Sequence, residues 1–537
     1  MKKKNAVYYT VFVVLYLFFA CDDKIKDIDN PELLPEDAKT ANTVANVYSG
    51  YFRFGSNMGW LNNNWLDEDV ADILVGNSTK HIIGAGANSL RPALYEDFVE
   101  TWGYENRLNT FRYYLDIGAR DNVVFISDRP CEAHRERRQY TSAGASHSYE
   151  NLYEPIWDKG ENGTPVNDRN YYALYVYKVA LLYKGLVKFW EIKNEADLTY
   201  YDCGWTAPGT ECNWWDRDPS PEELYNWNAP LQSYVRLLRV SYEVIKYVDP
   251  EAFICIGGIG YPSFLDAVLR NTDNPDGGKV TNAYPLKGGA WFDCLSYHCY
   301  PMYSLRAWDN NVGWFSYFRH SDAAANALKE QLEEHRAVLR KHGYGGEFPA
   351  KEVIVTETNV PGKQIGDNIG SPEAQRNYLV KAAVIGQKNG ISGIYPFCVW
   401  DGAEQDQNGW EYDYMGFYKP LPAAPGGVLR INESGIAWRT ASRMLDERRY
   451  NAAETAKLLL PVGVDGGAFY SEKSKDYIYV LWAKTTADLS ETASVTYTFP
   501  ASISATRLNV TSWNGGSSLV NGRTISLNGS PVFVTLN

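Results

Sequence analysis

The run Val187-Lys188-Phe189-Trp190-Glu191-Ile192-Lys193-Asn194-Glu195-Ala196-Asp197 is an apolar strand pattern that stops on Asn-Glu, and Val353-Ile354-Val355-Thr356-Glu357-Thr358-Asn359 is a β-branched run that stops on Glu. Each sets a carboxylate just past a strand end. Around them, from about residue 45 to 445, short apolar runs alternate with helical patterns, which is the signature of repeated βα units and a parallel sheet. Eight runs read as strands: Tyr51–Ser56, Thr110–Ile117, Asn122–Ser127, Leu186–Ile192, Ala252–Gly257, Phe292–Tyr297, Glu352–Thr356 and Gly393–Val399. Ser321 and Asp322 open a helix carrying Leu328, Leu332 and Leu339, which Gly343 ends, and Ser371-Pro372 and Gly390 bracket another. The expected fold is α/β, a (β/α)8 TIM barrel, in which reactive groups sit at the C-terminal ends of the strands.

Beyond about residue 455 the pattern changes to alternating strands, such as Asp476–Trp482, Ser494–Phe499, Arg507–Trp513 and Val532–Leu536, separated by Gly, Asn and Ser turns. This predicts a small C-terminal β-sandwich. At the other end, Lys2 to Lys4, the apolar stretch Val11–Phe19 and Ala20 before Cys21 read as an export signal, too short for a membrane span. The expected organisation is a signal peptide (1–20), a polar tether (21–44), a catalytic barrel (45–450) and a sandwich (451–537). The Ala20-Cys21 junction resembles a bacterial lipoprotein site, which implies lipidation of Cys21, although Phe18 and Phe19 depart from the usual lead-in. The expected location is the outer membrane or cell surface, with the periplasm as the alternative.

The chain has 537 residues and a formal net charge of −13, and the first 20 residues carry three lysines and no acid, so the remainder is more acidic still. That balance argues against nucleic acid as a partner. Aromatics make up 14%, with 17 Trp and 40 Tyr, enough to furnish stacking platforms for sugars as well as a core. Cys203 and Cys212 bracket a Gly/Pro/Thr loop, the setting for a loop-closing disulfide in an exported protein, while Cys255, Cys294 and Cys398 lie in apolar runs as buried thiols. No CxxC or HExxH spacing occurs, so neither a metal site nor a cofactor is expected.

Cleavage of a glycosidic bond needs one carboxyl to protonate the leaving oxygen and a second to attack or to activate water. Glu195 and Glu357 are the candidates. An Asn-Glu at the end of strand four and a Glu at the end of strand seven resemble glycoside hydrolase clan A, retaining enzymes on (β/α)8 barrels. The segments Phe292-Asp293-Cys294-Leu295-Ser296-Tyr297-His298-Cys299-Tyr300-Pro301 and Thr356-Glu357-Thr358-Asn359 look most like family 39 and its neighbours. The resemblance implies that Glu195 is the acid/base, Glu357 the nucleophile, and Asn194 a ligand of the sugar 2-hydroxyl. Lys193 and Ala196 depart from the frequent Trp-Asn-Glu-Pro. Lys193 shares a strand face with Glu191, so the two are expected to pair, the alternative being that Lys193 favours an anionic sugar.

Further substrate-binding candidates follow from position. Arg112 is placed to hold the nucleophile ionised, or else to bridge barrel and loop. His298 and Tyr300 end strand six, where they bond sugar or nucleophile, or serve as satisfied structural groups. Trp400, past strand eight, matches the ring on which clan A enzymes stack the sugar, its alternative being core packing. Trp214 and Trp215 lie on the long loop after strand four and read as a subsite. The acidic run Asp67, Glu68 and Asp69 reads as a helix N-terminus, with a site as the alternative. The expected activity is retaining hydrolysis of O-glycosyl bonds in a β-linked polysaccharide or oligosaccharide, endo-acting, with a non-catalytic surface glycan-binding lipoprotein as the alternative.

Overall fold

The computed structural model describes residues 46–58, 64–127, 129–141 and 144–536. The signal peptide, Cys21 and the tether lie outside the described residues. Eight parallel strands form the barrel: β1 (Arg53–Asn57), β2 (Ser89–Arg91), β3 (Val123–Ile126), β4 (Phe189–Ile192), β5 (Phe253–Cys255), β6 (Cys294–Cys299), β7 (Glu352–Thr358) and β8 (Gly393–Pro396). They pair around the ring as β2-β1-β8-β7-β6-β5-β4-β3. Closure comes from one short segment: Ser89–Arg91 pairs with β1, and beyond Pro92, which has no N–H to donate, Ala93–Leu94 pairs with Phe125–Ile126 of β3.

One expected strand is a helix. Leu108–Asp116 is α-helical, burying Phe111 and Tyr114 three residues apart while Arg112 and Leu115 face solvent. That spacing is one helical face, and the second barrel strand is instead the three-residue β2. The acidic run opens the helix Asp67–Val75, as its position before Val70 and Ala71 suggested.

Along β4 the side chains alternate. Phe189 enters the barrel interior with Val123, Phe253, Cys255, Cys294, Ile354 and Tyr395, whereas Trp190 and Ile192 join the core between strands and helices. Below the site, buried Arg53 lies 3.7 Å over the Phe189 ring. The barrel has a packed floor, so substrate can enter only from the mouth.

The barrel's last helix ends at Leu445, and Arg449–Tyr450 already belongs to the C-terminal six-stranded antiparallel sheet. A two-stranded antiparallel sheet of Ser494–Thr498 with Thr524–Asn528 completes that unit around Tyr479, Leu481, Phe499, Leu508, Leu527 and Val534. It docks through buried polar contacts. Asp322, in the first turn of the helix after β6, accepts from Trp482 Nε1 at 2.8 Å and pairs with Lys381 at 2.7 Å, while Glu491 accepts from Ser321 N at 2.7 Å. Cys203 and Cys212 form a disulfide.

Candidate active site

A cavity of about 500 Å³ opens at the C-terminal ends of the barrel strands, lined in part by Asn57, Arg91, Asn194, Glu195, Glu357 and Phe397. These come from the ends of β1, β2, β4, β7 and β8. The topology therefore gathers side chains far apart in sequence, among them Asn57 and Glu357, 300 positions apart.

Glu357 is held on both oxygens. Oε1 accepts from Arg91 Nη1 at 2.8 Å and from Asn57 Nδ2 at 3.0 Å, and Oε2 accepts from Tyr300 OH at 2.7 Å. Burial opposes its ionisation, but the His298 and Arg91 charges and the Tyr300 hydrogen bond outweigh burial and hold the carboxyl below its ordinary range. Arg91, 1% exposed, also donates Nε to Glu191 at 2.7 Å and Nη2 to Asn194 Oδ1 at 2.6 Å. Glu191 in turn accepts from Thr356 Oγ1 at 2.7 Å. With Asn194 Oδ1 engaged, its amide is oriented and its Nδ2 hydrogens remain as donors.

Glu195 is set differently. Its backbone has φ 48°, its N–H bonds Gly257 O at 2.9 Å, and its Oε1 is 2.7 Å from His298 Nδ1. Its side chain is 25% exposed against 12% for Glu357. One oxygen of each glutamate and a His298 ring nitrogen lie within 4.8 Å of one another. Burial lowers the His298 pKa, but the Glu357 charge and the bond to Glu195 raise it further, so the net direction is up. Its Nε2 has no hydrogen-bond partner among the described residues and faces Gly258, where a Cβ would stand 2.3 Å away. Only glycine, also at φ +61°, leaves room for that ring.

The structure thus brings together Glu195, Glu357, Asn194, His298 and Tyr300. It does not bring Arg112, which is exposed on its helix with Asn109 as its contact at 3.4 Å; the arginine on Glu357 is Arg91. Trp214 is fully buried, packed against Tyr261 and Phe264, so it is a core ring and not a subsite, and Trp215 is half-buried beside it. Trp400 packs against the core, and the aromatic that lines the cavity after β8 is Phe397. Glu191 is engaged by Arg91 and Thr356, while Lys193 Nζ lies 5.5 Å over the Trp227 ring, so the two do not use each other as expected. Asn57, Arg91 and Phe397 escaped the sequence reading. Arg91 carried a weak signal, an arginine before a proline after a two-residue run.

No protein-family model matches the chain, and no curated protein matches it. Among solved structures it is similar to a family 39 glycoside hydrolase from the gut symbiont Bacteroides cellulosilyticus WH2, with TM-score 0.52 and 15% identity over 90% of this chain and 80% of that one. It is also similar to a monomeric beta-xylosidase from Caulobacter crescentus CB15, with TM-score 0.50 and 12% identity over 92% of this chain and 97% of that one. The fold is the one these clan A glycoside hydrolases have, a TIM barrel with a C-terminal β-sandwich.

Proposed function

We propose that this chain is a retaining glycoside hydrolase that cleaves β-linked glycans by a two-glutamate double displacement. The observation that carries the reading is the spacing of Glu195 and Glu357, whose near oxygens lie within 4.8 Å. That agrees with the roughly 5–5.5 Å of retaining sites and leaves too little room for the water an inverting enzyme places between base and sugar. Their surroundings divide the labour. Glu357, held ionised by Arg91 and His298, attacks the anomeric carbon while Glu195 gives its proton to the departing glycosidic oxygen, so that the C–O bond breaks as the glycosyl ester forms. Glu195 then takes a proton from water, whose oxygen attacks the same carbon and releases Glu357. Asn194, its amide fixed by Arg91, donates to the sugar 2-hydroxyl, and Phe397 forms an apolar wall beside the ring.

Endo action on a chain is supported by aromatic rings running outward from the site. Tyr300 meets Tyr412 at 5.0 Å, Tyr412 OH meets Tyr303 OH at 3.3 Å, and Tyr303 and Trp410 are exposed. The hairpin after β6 exposes Trp308 and Trp314 as well. A lipid on Cys21 would hold the enzyme at the outer membrane, a reading supported by the Ala20-Cys21 junction. The test is NMR of the first-formed product from a panel of plant, algal and host glycans. Retained anomeric configuration supports the reading, an inverted product overturns the mechanism, and binding without cleavage returns the chain to a glycan-binding role.

A further inference from the structure

The cavity contains three arginines, and the reaction uses one. Arg91 is matched by Glu191 and Glu357. Arg107, just before the helix that carries Arg112, pairs with Asp67 and donates Nη1 to Ala93 O at 2.5 Å, yet its Nε is buried with no acceptor among the described residues. Arg129, beyond the end of β3, lines the same cavity with an exposed side chain and forms no ion pair among the described residues.

A cation lining this cavity with no ion pair among the described residues bears on the charge of what binds there. The chain carries a net charge of −13, and its overall field repels anions. Inside the cavity Asp67 pairs with Arg107, Glu191 and Glu357 pair with Arg91, and Glu195 lies against His298, whereas Arg129 has no ion pair among the described residues. A neutral sugar gains little from a guanidinium that water already solvates. A carboxylate or sulfate gains a charge-assisted, two-pronged hydrogen bond, the geometry for which arginine is suited.

We propose that the natural glycan carries an anionic group, a uronate carboxylate or a sulfate ester, on a sugar bound in this cavity, and that Arg129 receives it. The inference rests on the glycosidase reading for its substrate but not for its test. Arg129 takes no part in bond cleavage; it selects.

The test uses the Glu195→Gln variant of the full mature chain, which binds without turnover, and calorimetry with three kinds of tetrasaccharide: xylotetraose and cellotetraose as neutral probes, tetragalacturonate as the carboxylated probe and a κ-carrageenan tetrasaccharide as the sulfated one. At least one anionic probe should bind more tightly than both neutral probes, and which one does distinguishes carboxylate from sulfate. Adding Arg129→Gln should weaken that probe by about tenfold or more, the scale of one charge-assisted hydrogen bond. Raising salt should weaken it further, and Arg129→Lys should restore part of the affinity. Neutral probes binding as tightly as both anionic ones, or an Arg129→Gln loss equal for neutral and anionic probes, overturns the proposal. Hydrolysis of a neutral probe by the wild-type enzyme would then leave the glycosidase reading standing. Conversely, Arg129-dependent binding of an anionic probe, together with no cleavage by the wild type of any β-linked glycan in the panel, would keep this inference and remove that one.

Discussion

Arg91 donates Nη1 to Glu357 at 2.8 Å while its Nε holds Glu191 at 2.7 Å, so one guanidinium joins the reacting carboxylate to a second, fully buried one beneath it. Among the described residues neither carboxylate has another cation at comparable closeness; His298 stands 3.7 Å from Glu357. Arg91→Ala would leave two buried charges facing each other. It should lower stability by about 3–5 kcal/mol, the scale for removing one partner of a buried ion pair. It should also lower kcat at least about 100-fold, as loss of a preorganised electrostatic contact does. Arg112→Ala, made on an exposed helix face, should stay within about 0.5 kcal/mol and keep its activity. Urea denaturation and steady-state kinetics of both variants check the assignment. Equal effects would return the role to Arg112.

The two glutamates should answer differently to azide. Glu357→Ala removes the nucleophile, so azide entering from the vacated side should give a glycosyl azide of inverted configuration. Glu195→Ala leaves the nucleophile in place; with an activated aryl glycoside it should still form the ester, and azide should then give a product of retained configuration. NMR of the two azides reads the result, and the same configuration from both variants would contradict the division of roles.

Asp197 links the site to pH. It is 1% exposed; burial pushes its carboxyl up to about 7, the Glu195 charge adds to that, and N–H bonds from Tyr261 and Gly260 oppose it. Unfolded, an aspartate titrates near about 3.9. Between those values the native state holds the proton that the unfolded chain has lost, so the contribution of Asp197 to stability falls as pH rises from about 4 to about 7, then levels off. Asp197→Asn can still accept both N–H bonds and cannot ionise. Chemical denaturation across that window should show the wild type losing stability relative to the variant with rising pH, and parallel curves would refute the shift.

Phe397 and Trp400 should separate cavity from core. Phe397 lines the cavity and packs edge-on to Tyr300 at 6.3 Å, so Phe397→Ala should reduce kcat/KM by about tenfold with a modest stability change. Trp400 packs half-buried against the core, and Trp400→Ala should cost about 2 kcal/mol in stability with a smaller effect on kcat/KM. Thermal melts alongside kinetics distinguish them, and the opposite pattern would put Trp400 at the sugar.

By itself the sequence determined the barrel and its two glutamates, because the largely apolar runs of β4 and β7, with Glu195 just past the first and Glu357 near the end of the second, need no knowledge of distant neighbours. His298 and Tyr300 were legible for the same reason, at the end of the six-residue β6. Arg91 was not. A three-residue strand cut by Pro92 is too short to show alternation, and the helix holding Phe111, Tyr114 and Arg112 has apolar spacing that also fits a strand. Trp214 shows the same limit from the other side: a loop tryptophan looks exposed in sequence, and contacts with Tyr261 and Phe264, 47 and 50 positions on, bury it. Local patterns record how a segment meets its own neighbours. Which arginine reaches Glu357, which ring faces the cavity and which cations line it depend on barrel closure, which joins residues hundreds of positions apart, and only the tertiary structure decided them.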